Sequence, residues 1–355
     1  MNTLSSFTAV LFLVFALVWF TDNSEKPATE METFTLYLED VAPQNTFDRS
    51  MEGTLNHVGS LSLSDLDITI PEIISVSPYD GTIAVFDYGS MKLHLIETDN
   101  DHNLITHTVS ELHAGSEEGE FSNPTEILFV DNDRIAIADP GNSKLIFTNL
   151  AGEFVDEITL SESPHRMVMG MESLITGSLI SDHLFSSVDI HTGESKENFG
   201  KMNRPASPRL KQGDLSAQRG KIAFIPYESS WFTVFTEEGD LLFQRETIRS
   251  TIRQQVVDDP RVNSSLSSVQ GNNVINTSIQ MSDDTIAILH SGKNPRNLGN
   301  LIDFYTLHDG SYLGTYQLDT HVNLIRIHHK RNTLFTRHQD ADGRFEIKIY
   351  DMQGM

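Results

Sequence analysis

Short apolar strands separated by turn residues recur along this chain at a coarse, regular spacing. Each strand is rich in the β-branched and aliphatic residues that favour buried β-structure, and polar or glycine-containing turns bound it. The six clearest strands cover residues 82–87, 134–139, 173–177, 221–226, 285–290 and 333–338. The pattern predicts a repeat of one β-rich unit.

A second β-rich segment follows each of these strands. These segments cover residues 91–96, 144–148, 183–190, 231–236, 301–307 and 345–350, and most of them reach a hairpin turn such as Glu238-Gly239 or Asp309-Gly310. A sheet unit of this size cannot bury its apolar faces alone, so the copies must pack on one another. We therefore predict an all-β fold, a six-bladed β-propeller of four-stranded antiparallel blades.

The last copy leaves room for only three strands, at 322–328, 332–337 and 344–350. A strand from the N-terminal part of the chain can complete the sixth blade and close the ring without an open seam. Two segments are candidates, 33–38 and one within 54–63. We favour the second because it leads directly into the first blade.

The N-terminal segment 4–20 is an almost unbroken apolar run without charge, and Asp22 and Glu25 are the first charged residues after it. This pattern predicts an apolar helix that acts as an export signal. A cleaved signal peptide and a retained membrane anchor both stay open, because the run is short for a membrane span and lacks a small-x-small cleavage pattern. The predicted division is 1–21 signal or anchor, 22–53 polar tether and N-terminal strand region, and 54–355 propeller.

The second repeat carries the most specific motif. Residues 119–154 contain G-x-F-x-x-P, then the D-x-x-N turn at Asp139 and Asn142, then the strand that begins at Lys144. This repeat resembles a blade of an NHL-type propeller, and the chain resembles the exported bacterial six-bladed propellers grouped as TolB-like or NHL-like. The resemblance implies a rigid binding or scaffolding disc in the periplasm or outside the cell, attached to the inner membrane only if residues 4–20 stay uncleaved.

The longest predicted connections point to one face of such a disc. In an antiparallel blade, the connections from the second to the third strand and from one blade to the next lie on the same face. The long connections at 109–123, 200–214, 246–274 and 291–299 are all of these two kinds. Long irregular connections in a compact domain are usually functional or disordered. We predict that this loop-rich face is the binding face.

Charge narrows the choice of partners. The chain has 50 Asp and Glu against 25 Lys and Arg, a net charge of −25, so nucleic acid and anionic membrane surfaces are unfavourable partners. Basic residues nevertheless concentrate between residues 196 and 261. Arg245, Arg249 and Arg253 stand four apart, which predicts an arginine stripe on a short helix, and arginine suits planar anions. Tyr227 and Trp231 could stack on a sugar or a peptide. The candidate binding residues are therefore Arg204, Arg209, Lys211, Tyr227, Trp231, Arg245, Arg249 and Arg253.

Evidence for catalysis or cofactors is weaker. The chain has no cysteine, and His290, His321, His328, His329 and His338 form no local metal-binding motif. Asp87, Asp139 and Asp182 follow predicted strands, where aspartate commonly caps turns. We expect no cofactor, no metal and no assigned catalytic residue, and a monomer. The main hypothesis is a non-catalytic module that binds a protein, peptide or glycan. The alternative is a metal-dependent hydrolase or lyase working at the central channel.

Overall fold

Six antiparallel sheets follow one another along the chain, each built as a simple meander. The structure is a computed structural model that describes residues 41–46, 48–181, 183–200, 211–248, 256–258, 267–269, 276–291 and 298–352. The N-terminal segment 4–20 and the alternative closing segment 33–38 lie outside these residues. Within them, no helix is long and apolar enough to cross a membrane.

Two short strands, β1 and β2, precede the sheets, and a small hairpin, β19 and β20, lies between the fourth and fifth sheets. Their bounds are β1 (Met51–Thr54), β2 (Asn56–Ser62), β19 (Val256–Asp258) and β20 (Ser267–Val269).

Each of the first three sheets is formed by four consecutive strands. The first contains β3 (Pro71–Val76), β4 (Ile83–Asp87), β5 (Lys92–Thr98) and β6 (Leu104–Glu111); the second β7 (Glu126–Phe129), β8 (Arg134–Asp139), β9 (Lys144–Asn149) and β10 (Phe154–Thr159); the third β11 (Arg166–Met169), β12 (Leu174–Gly177), β13 (Phe185–Val188) and β14 (Ser195–Phe199).

The last three sheets repeat this plan with two additions from the N-terminal strands. The fourth contains β15 (Gly213–Gln218), β16 (Lys221–Pro226), β17 (Trp231–Thr236) and β18 (Leu241–Glu246); the fifth β21 (Asn276–Met281), β22 (Thr285–His290), β23 (Gly299–Thr306) and β24 (Tyr312–Val322), with β1 parallel to β24; the sixth β25 (Ile325–His328), β26 (Thr333–Gln339) and β27 (Phe345–Asp351), with β2 antiparallel to β27.

The sheets are arranged as the blades of a ring. The first strand of each sheet packs against the first strands of both neighbours, and β25 packs on β3 to complete the circle. Six apolar clusters fill the spaces between neighbouring blades, and in the one between blades six and one Phe335 and Ile347 meet Ile83 and Ile96. The predicted six-bladed all-β propeller of four-stranded antiparallel blades is confirmed.

Burial falls from the channel outward. Every residue of β4 is buried, whereas β6, the outer strand of the same blade, is largely exposed. Apolar side chains of the second and third strands face the neighbouring blades, so these strands carry the near-continuous apolar runs visible in the sequence. This explains why the bounds of β8, β16, β17 and β22 agree residue for residue with the predicted strands.

The long connections begin and end on one face. The chain joins β6 to β7 through residues 112–125, β14 to β15 through 200–212, β18 to β21 through 247–275 and β22 to β23 through 291–298. All of these leave the disc where the first strand of a blade begins. The turns on the opposite face are short, as at Arg219 and Gly220 between β15 and β16.

Aspartates at the ends of second strands tie the loop-rich face together. Asp139 accepts hydrogen bonds from the backbone N–H groups of Ser122 and Asn123 at 2.9 and 2.8 Å. Asp87 accepts one from the N–H of Ile70 at 2.6 Å. The prediction that these aspartates cap turns is confirmed at Asp87, which also accepts from the N–H of Gly89 at 3.1 Å. Asp139 bonds the amides of the preceding connection instead, and Asp182 lies outside the described residues.

The segment before β2 crosses the outer edges of blades four and five. Ala42 forms a parallel bridge with Arg245 of β18, and the Gln44 side-chain amide donates to the carbonyls of Glu246 and Gly310. Arg49 donates from Nε and Nη2 to the carboxylate of Asp303 at 2.9 and 2.8 Å. We call residues 41–54 the strap.

Candidate functional site

A polar cavity of about 300 Å³ opens at the channel mouth on the loop-rich face. It lies where the first strands of the blades begin, so the ring brings together side chains that are far apart in the sequence. Six charged residues line it, three arginines and three carboxylates: Glu72, Glu126, Arg166, Asp214, Arg326 and Arg337. We call this group the channel cluster. Its formal charges cancel.

Arg166, the first residue of β11, joins blades two, three and four. Its Nη1 donates to the Thr125 carbonyl at 2.9 Å and lies 3.2 Å from Glu126, while Nη2 donates to the Tyr227 hydroxyl at 2.8 Å. Nε donates to the Gly213 carbonyl at 3.2 Å. All three guanidinium nitrogens are thus engaged, and Arg166 is held in one position.

Arg326, in β25, reaches across the channel to carboxylates of blades two and four. Its Nη2 lies 3.7 Å from Glu126, and its Nη1 lies 3.5 Å from Asp214. Asp214 also accepts hydrogen bonds from the Ser278 hydroxyl at 2.7 Å and from the N–H of Ile279 at 3.0 Å. These contacts link blades two, four, five and six.

Arg337, in β26, makes the third pairing. Its Nε donates to the Asn323 side-chain oxygen at 3.1 Å, and its Nη1 donates to the Pro71 carbonyl. Nη1 also lies 3.4 Å from Glu72, whose side chain is 55% exposed. The partner of this buried arginine is therefore the most exposed carboxylate of the channel cluster.

Burial and charge act in opposite directions on these groups. Burial raises the pKa of Glu126, and Arg166 and Arg326 oppose the shift. Burial works against the charge of Arg166, yet Tyr227, Glu126 and Asp214 hold its pKa above the ordinary value. Burial lowers the pKa of Arg337, and Glu72 only partly offsets this. The positive charge of Arg337 is thus less well compensated by its neighbours than that of Arg166.

The opposite mouth is chemically different. A second cavity of about 280 Å³ lies where the first strands end, and Glu126 and Arg326 reach it from the inside. The rest of its lining is mainly backbone and apolar or neutral side chains, with Tyr79 and Gln280 among them. The charged end of the channel is therefore the one that faces the long connections.

Of the predicted site residues that the structure describes, one lines this cavity. Tyr227 follows β16 and lines the channel mouth. Trp231 packs edge-on against Phe224, with ring centroids 6.4 Å apart, and contributes to the apolar space between blades three and four. Lys211 is buried just before β15.

Arg245 does not lie on a helix, and the prediction of a helical arginine stripe is wrong at this residue. It belongs to β18, where it pairs with Phe232 of β17, and its Nε donates to the Asp309 carbonyl at 2.7 Å on the outer rim. The hydrogen bonds of the sheet override the four-residue spacing. Arg204, Arg209, Arg249 and Arg253 lie outside the described residues.

None of the six members of the channel cluster is among the residues predicted from the sequence. Arg166 and Arg326 each stand beside the start of a short apolar run, Met167 to Met169 and Ile327 onward, and Glu126 and Asp214 occupy the same place in β7 and β15. A charged residue at the start of successive first strands is the signal that could have identified them.

None of the late histidines lines the charged channel mouth. Across the described ranges, no three or more histidine and acidic side chains are grouped so that they could hold a metal ion. His338 of blade six interacts with Thr320 and with the His321 carbonyl of blade five, and His328 is buried at the end of β25.

Comparisons with known proteins place the fold. No family model and no curated protein sequence matches the chain. A protein of Bacteroides fragilis NCTC 9343, provisionally described as exported, is similar in structure with a TM-score of 0.54 and 11% identity, covering 87% of this chain and 98% of that one.

Two enzymes are also similar in fold. Luciferin-regenerating enzyme has a TM-score of 0.53 and 10% identity, covering 83% of this chain and 96% of that one. Virginiamycin B lyase from Staphylococcus aureus has a TM-score of 0.50 and 12% identity, covering 82% and 98%. At these identities the likeness concerns the propeller alone, and the three proteins show that this architecture accompanies different functions.

Proposed function

We propose that the protein is an exported β-propeller that binds a protein, peptide or glycan at the channel mouth of its loop-rich face without catalysing a reaction. The observation that carries this proposal is that each carboxylate of the channel cluster is paired with an arginine. Glu126, Asp214 and Glu72 each face an arginine, at 3.2, 3.5 and 3.4 Å. Carboxylates paired in this way supply shape and polarity rather than a general base.

The position of the cavity supports the same proposal. The long connections begin and end at the strand ends around this mouth and not around the other, and Tyr227 presents an aromatic ring beside the arginines. Binding sites in propellers and other rigid scaffolds are commonly built from irregular connections around a fixed centre. A partner that enters the mouth would therefore meet both the long connections and the preorganised charged side chains of the channel cluster.

Two finer parts of the proposal concern the N-terminal region. We infer that β2 closes the ring, because it supplies the outer strand of blade six through its ladder to β27. We also propose that residues 4–20 direct export. A structural neighbour described as exported is consistent with this, and retention of the segment as a membrane anchor is the part that a fractionation experiment would test.

Face-specific photocrosslinking tests the binding proposal. A photoreactive amino acid is placed at Ser122, an exposed position on the loop-rich face of blade two, or at Asn132, its matched control in the short turn on the opposite face. In the native host, we expect a discrete crosslinked species from Ser122 and not from Asn132. Equal crosslinking from both positions would contradict a binding face.

The alternative function, a metal-dependent hydrolase or lyase, predicts a different result. Purified protein supplied with divalent metal ions would then turn over a lactone or ester substrate, and substitution of Glu126 or Asp214 would abolish that turnover. We expect no metal-dependent turnover. Its detection would reverse the ranking of the two functions.

A further inference from the structure

Arg337 stands out within the channel cluster because its charge is buried but thinly paired. The residue is 8% exposed. Arg166 uses all of its guanidinium nitrogens on four partners, whereas Arg337 Nη2 has no hydrogen-bond partner among the described residues. A guanidinium does not lose its proton in proteins, so a poorly compensated one gains most from an additional anion.

The carboxylate beside Arg337 is displaceable. Glu72 contacts it through one nitrogen at 3.4 Å, and more than half of the Glu72 side chain is exposed. Exposed ion pairs contribute little free energy, since water screens them and the side chains lose freedom. An incoming carboxylate could replace this contact at modest cost and use Nη2 as well.

A second polar group borders the same cavity. Thr277 lines the channel mouth together with Arg337, and its buried hydroxyl has no hydrogen-bond partner among the described residues. A buried hydroxyl without a partner costs free energy, and a bound acceptor would recover it. The two groups together provide charge and direction for one small acceptor group.

The lining also limits the charge of that group. Three carboxylates already face the cavity, so a dianion such as phosphate would meet more repulsion than a monoanion. A guanidinium fork matches the planar, two-oxygen geometry of a carboxylate. The cavity of about 300 Å³ has room for a chain end or a single side chain rather than a folded element.

We propose that the channel mouth contains a carboxylate subsite, in which Arg337 and the Thr277 hydroxyl bind a monoanionic carboxylate that enters from the loop-rich face. This deepens the proposed binding function and rests on it. The carboxylate can come from a peptide C-terminus or from a small organic acid, and the experiment separates these two sources.

Isothermal titration calorimetry of the purified propeller tests the subsite with four probes. They are the tripeptide Gly-Gly-Leu as free acid, the same tripeptide with an amidated C-terminus, propionate, and inorganic phosphate. We expect the free-acid peptide to bind at least about tenfold more tightly than the amide and more tightly than phosphate. Comparable affinity for propionate would assign the site to small acids rather than to chain ends.

Two substitutions with opposite expected effects keep the test independent of folding. R337Q should weaken binding of the free-acid probe by about tenfold or more, and E72Q, which removes the competing carboxylate and keeps the arginine, should strengthen it by about threefold or more. R344Q is the matched control and should leave binding unchanged. Arg344 lies in the turn between β26 and β27, and its side chain is 65% exposed.

Three results would overturn the subsite. They are equal affinity for acid and amide, weaker binding in a folded E72Q protein, or no binding of any carboxylate probe up to about 10 mM. None of these would contradict face-specific crosslinking, so failure of the carboxylate subsite can be told apart from failure of the proposed function.

Discussion

Two arginines, one buried at the channel and one half-buried at the rim, show how the same ion-pair chemistry can serve different ends. Arg49 in the strap binds both oxygens of Asp303, a residue that is 1% exposed and also accepts a hydrogen bond from Thr315. Arg337 at the channel has one exposed carboxylate and an unused nitrogen beside a cavity. The ion pair of Arg49, which uses both carboxylate oxygens, holds two parts of the chain together. The ion pair of Arg337, which uses one, leaves capacity for a ligand.

A count of buried charges therefore does not identify a ligand-binding site. What separates the two regions is whether the arginine binds both oxygens of a buried carboxylate and whether a cavity adjoins it. Arg166 is intermediate, since it lines the cavity but spends its donors on neighbouring blades. Arg166 therefore forms part of the fixed lining of the cavity, beside Arg337.

The largest expected effect comes from removing the strap together with the outer strand of blade six. A chain that begins at residue 66 lacks Arg49, β1 and β2, so Asp303 is left as an unpaired buried charge and β27 loses its ladder partner. We expect loss of cooperative thermal unfolding, measured by circular dichroism. A chain that begins at residue 31 is the control and should unfold as the full chain does. An unchanged melting temperature in the shorter chain would contradict closure by β2.

The next largest effect concerns the complete ion pair at the rim. D303A leaves the Arg49 guanidinium without its carboxylate, and such a buried charge typically costs about 3–5 kcal/mol of the free energy of unfolding. Chemical denaturation measures the change. D283A is the matched control, because Asp283 pairs with Arg219 at 2.6 Å while both side chains are more than half exposed, and it should cost less than about 1 kcal/mol. Equal costs would remove the distinction between rim and surface pairs.

A buried polar group without any partner provides a third case. Neither ring nitrogen of His328 has a hydrogen-bond partner among the described residues. Burial lowers the pKa of His328 to about 4, and the charges of Arg331, His329 and Lys330 add to this shift while Asp80 opposes it. The unfolded chain takes up a proton near pH 6.5, so the neutral imidazole favours folding above that pH and its contribution is lost as the pH falls from about 6.5 to about 4.

The H328L variant should therefore be less sensitive to acid. We expect the loss of stability between pH 6.5 and 4 to shrink by on the order of 3 kcal/mol, measured by denaturation at a series of pH values. H191L, at an exposed turn histidine, is the control. A parallel pH dependence in the wild-type protein and H328L would show that His328 does not contribute.

The smallest expected effect tests the floor of the channel. Y227F removes the acceptor for Arg166 Nη2, and loss of a hydrogen bond to a charged group costs about 1–3 kcal/mol. Y79F is the matched control at the opposite mouth, where the tyrosine hydroxyl donates to the neutral Val130 carbonyl at 3.3 Å, and it should cost about 0.5–1.5 kcal/mol. If Y79F were the more damaging change, the charged mouth would not be the more tightly organised one.

The sequence carries much of the fold because each blade is local. The second and third strands of a blade are consecutive, apolar and joined by short turns, so their pattern can be read directly, as it was at β16 and β17. The parallel pairing of β1 with β24 has no such signal, because it joins residues 51–54 to residues 315–317 through the tertiary fold alone.

The channel cluster was unpredictable for a related reason. β7 and β11 are only four residues long, and each supplies one charged side chain after an irregular connection. Such single residues acquire meaning only when the ring places them around one axis. The prediction at Arg245 failed in the opposite way, because a local four-residue spacing indicated a helix where pairing with β17 makes the residue part of a strand.

The route of the strap has a consequence for a membrane-attached form of the protein. Among the described residues, the first contact of the chain with the disc is made by Ala42, on the circumference beside β18 and not over either opening of the channel. If residues 4–20 stay in the membrane, the propeller would be attached to it through its outer edge. Both openings would then stay accessible to molecules diffusing in the surrounding compartment.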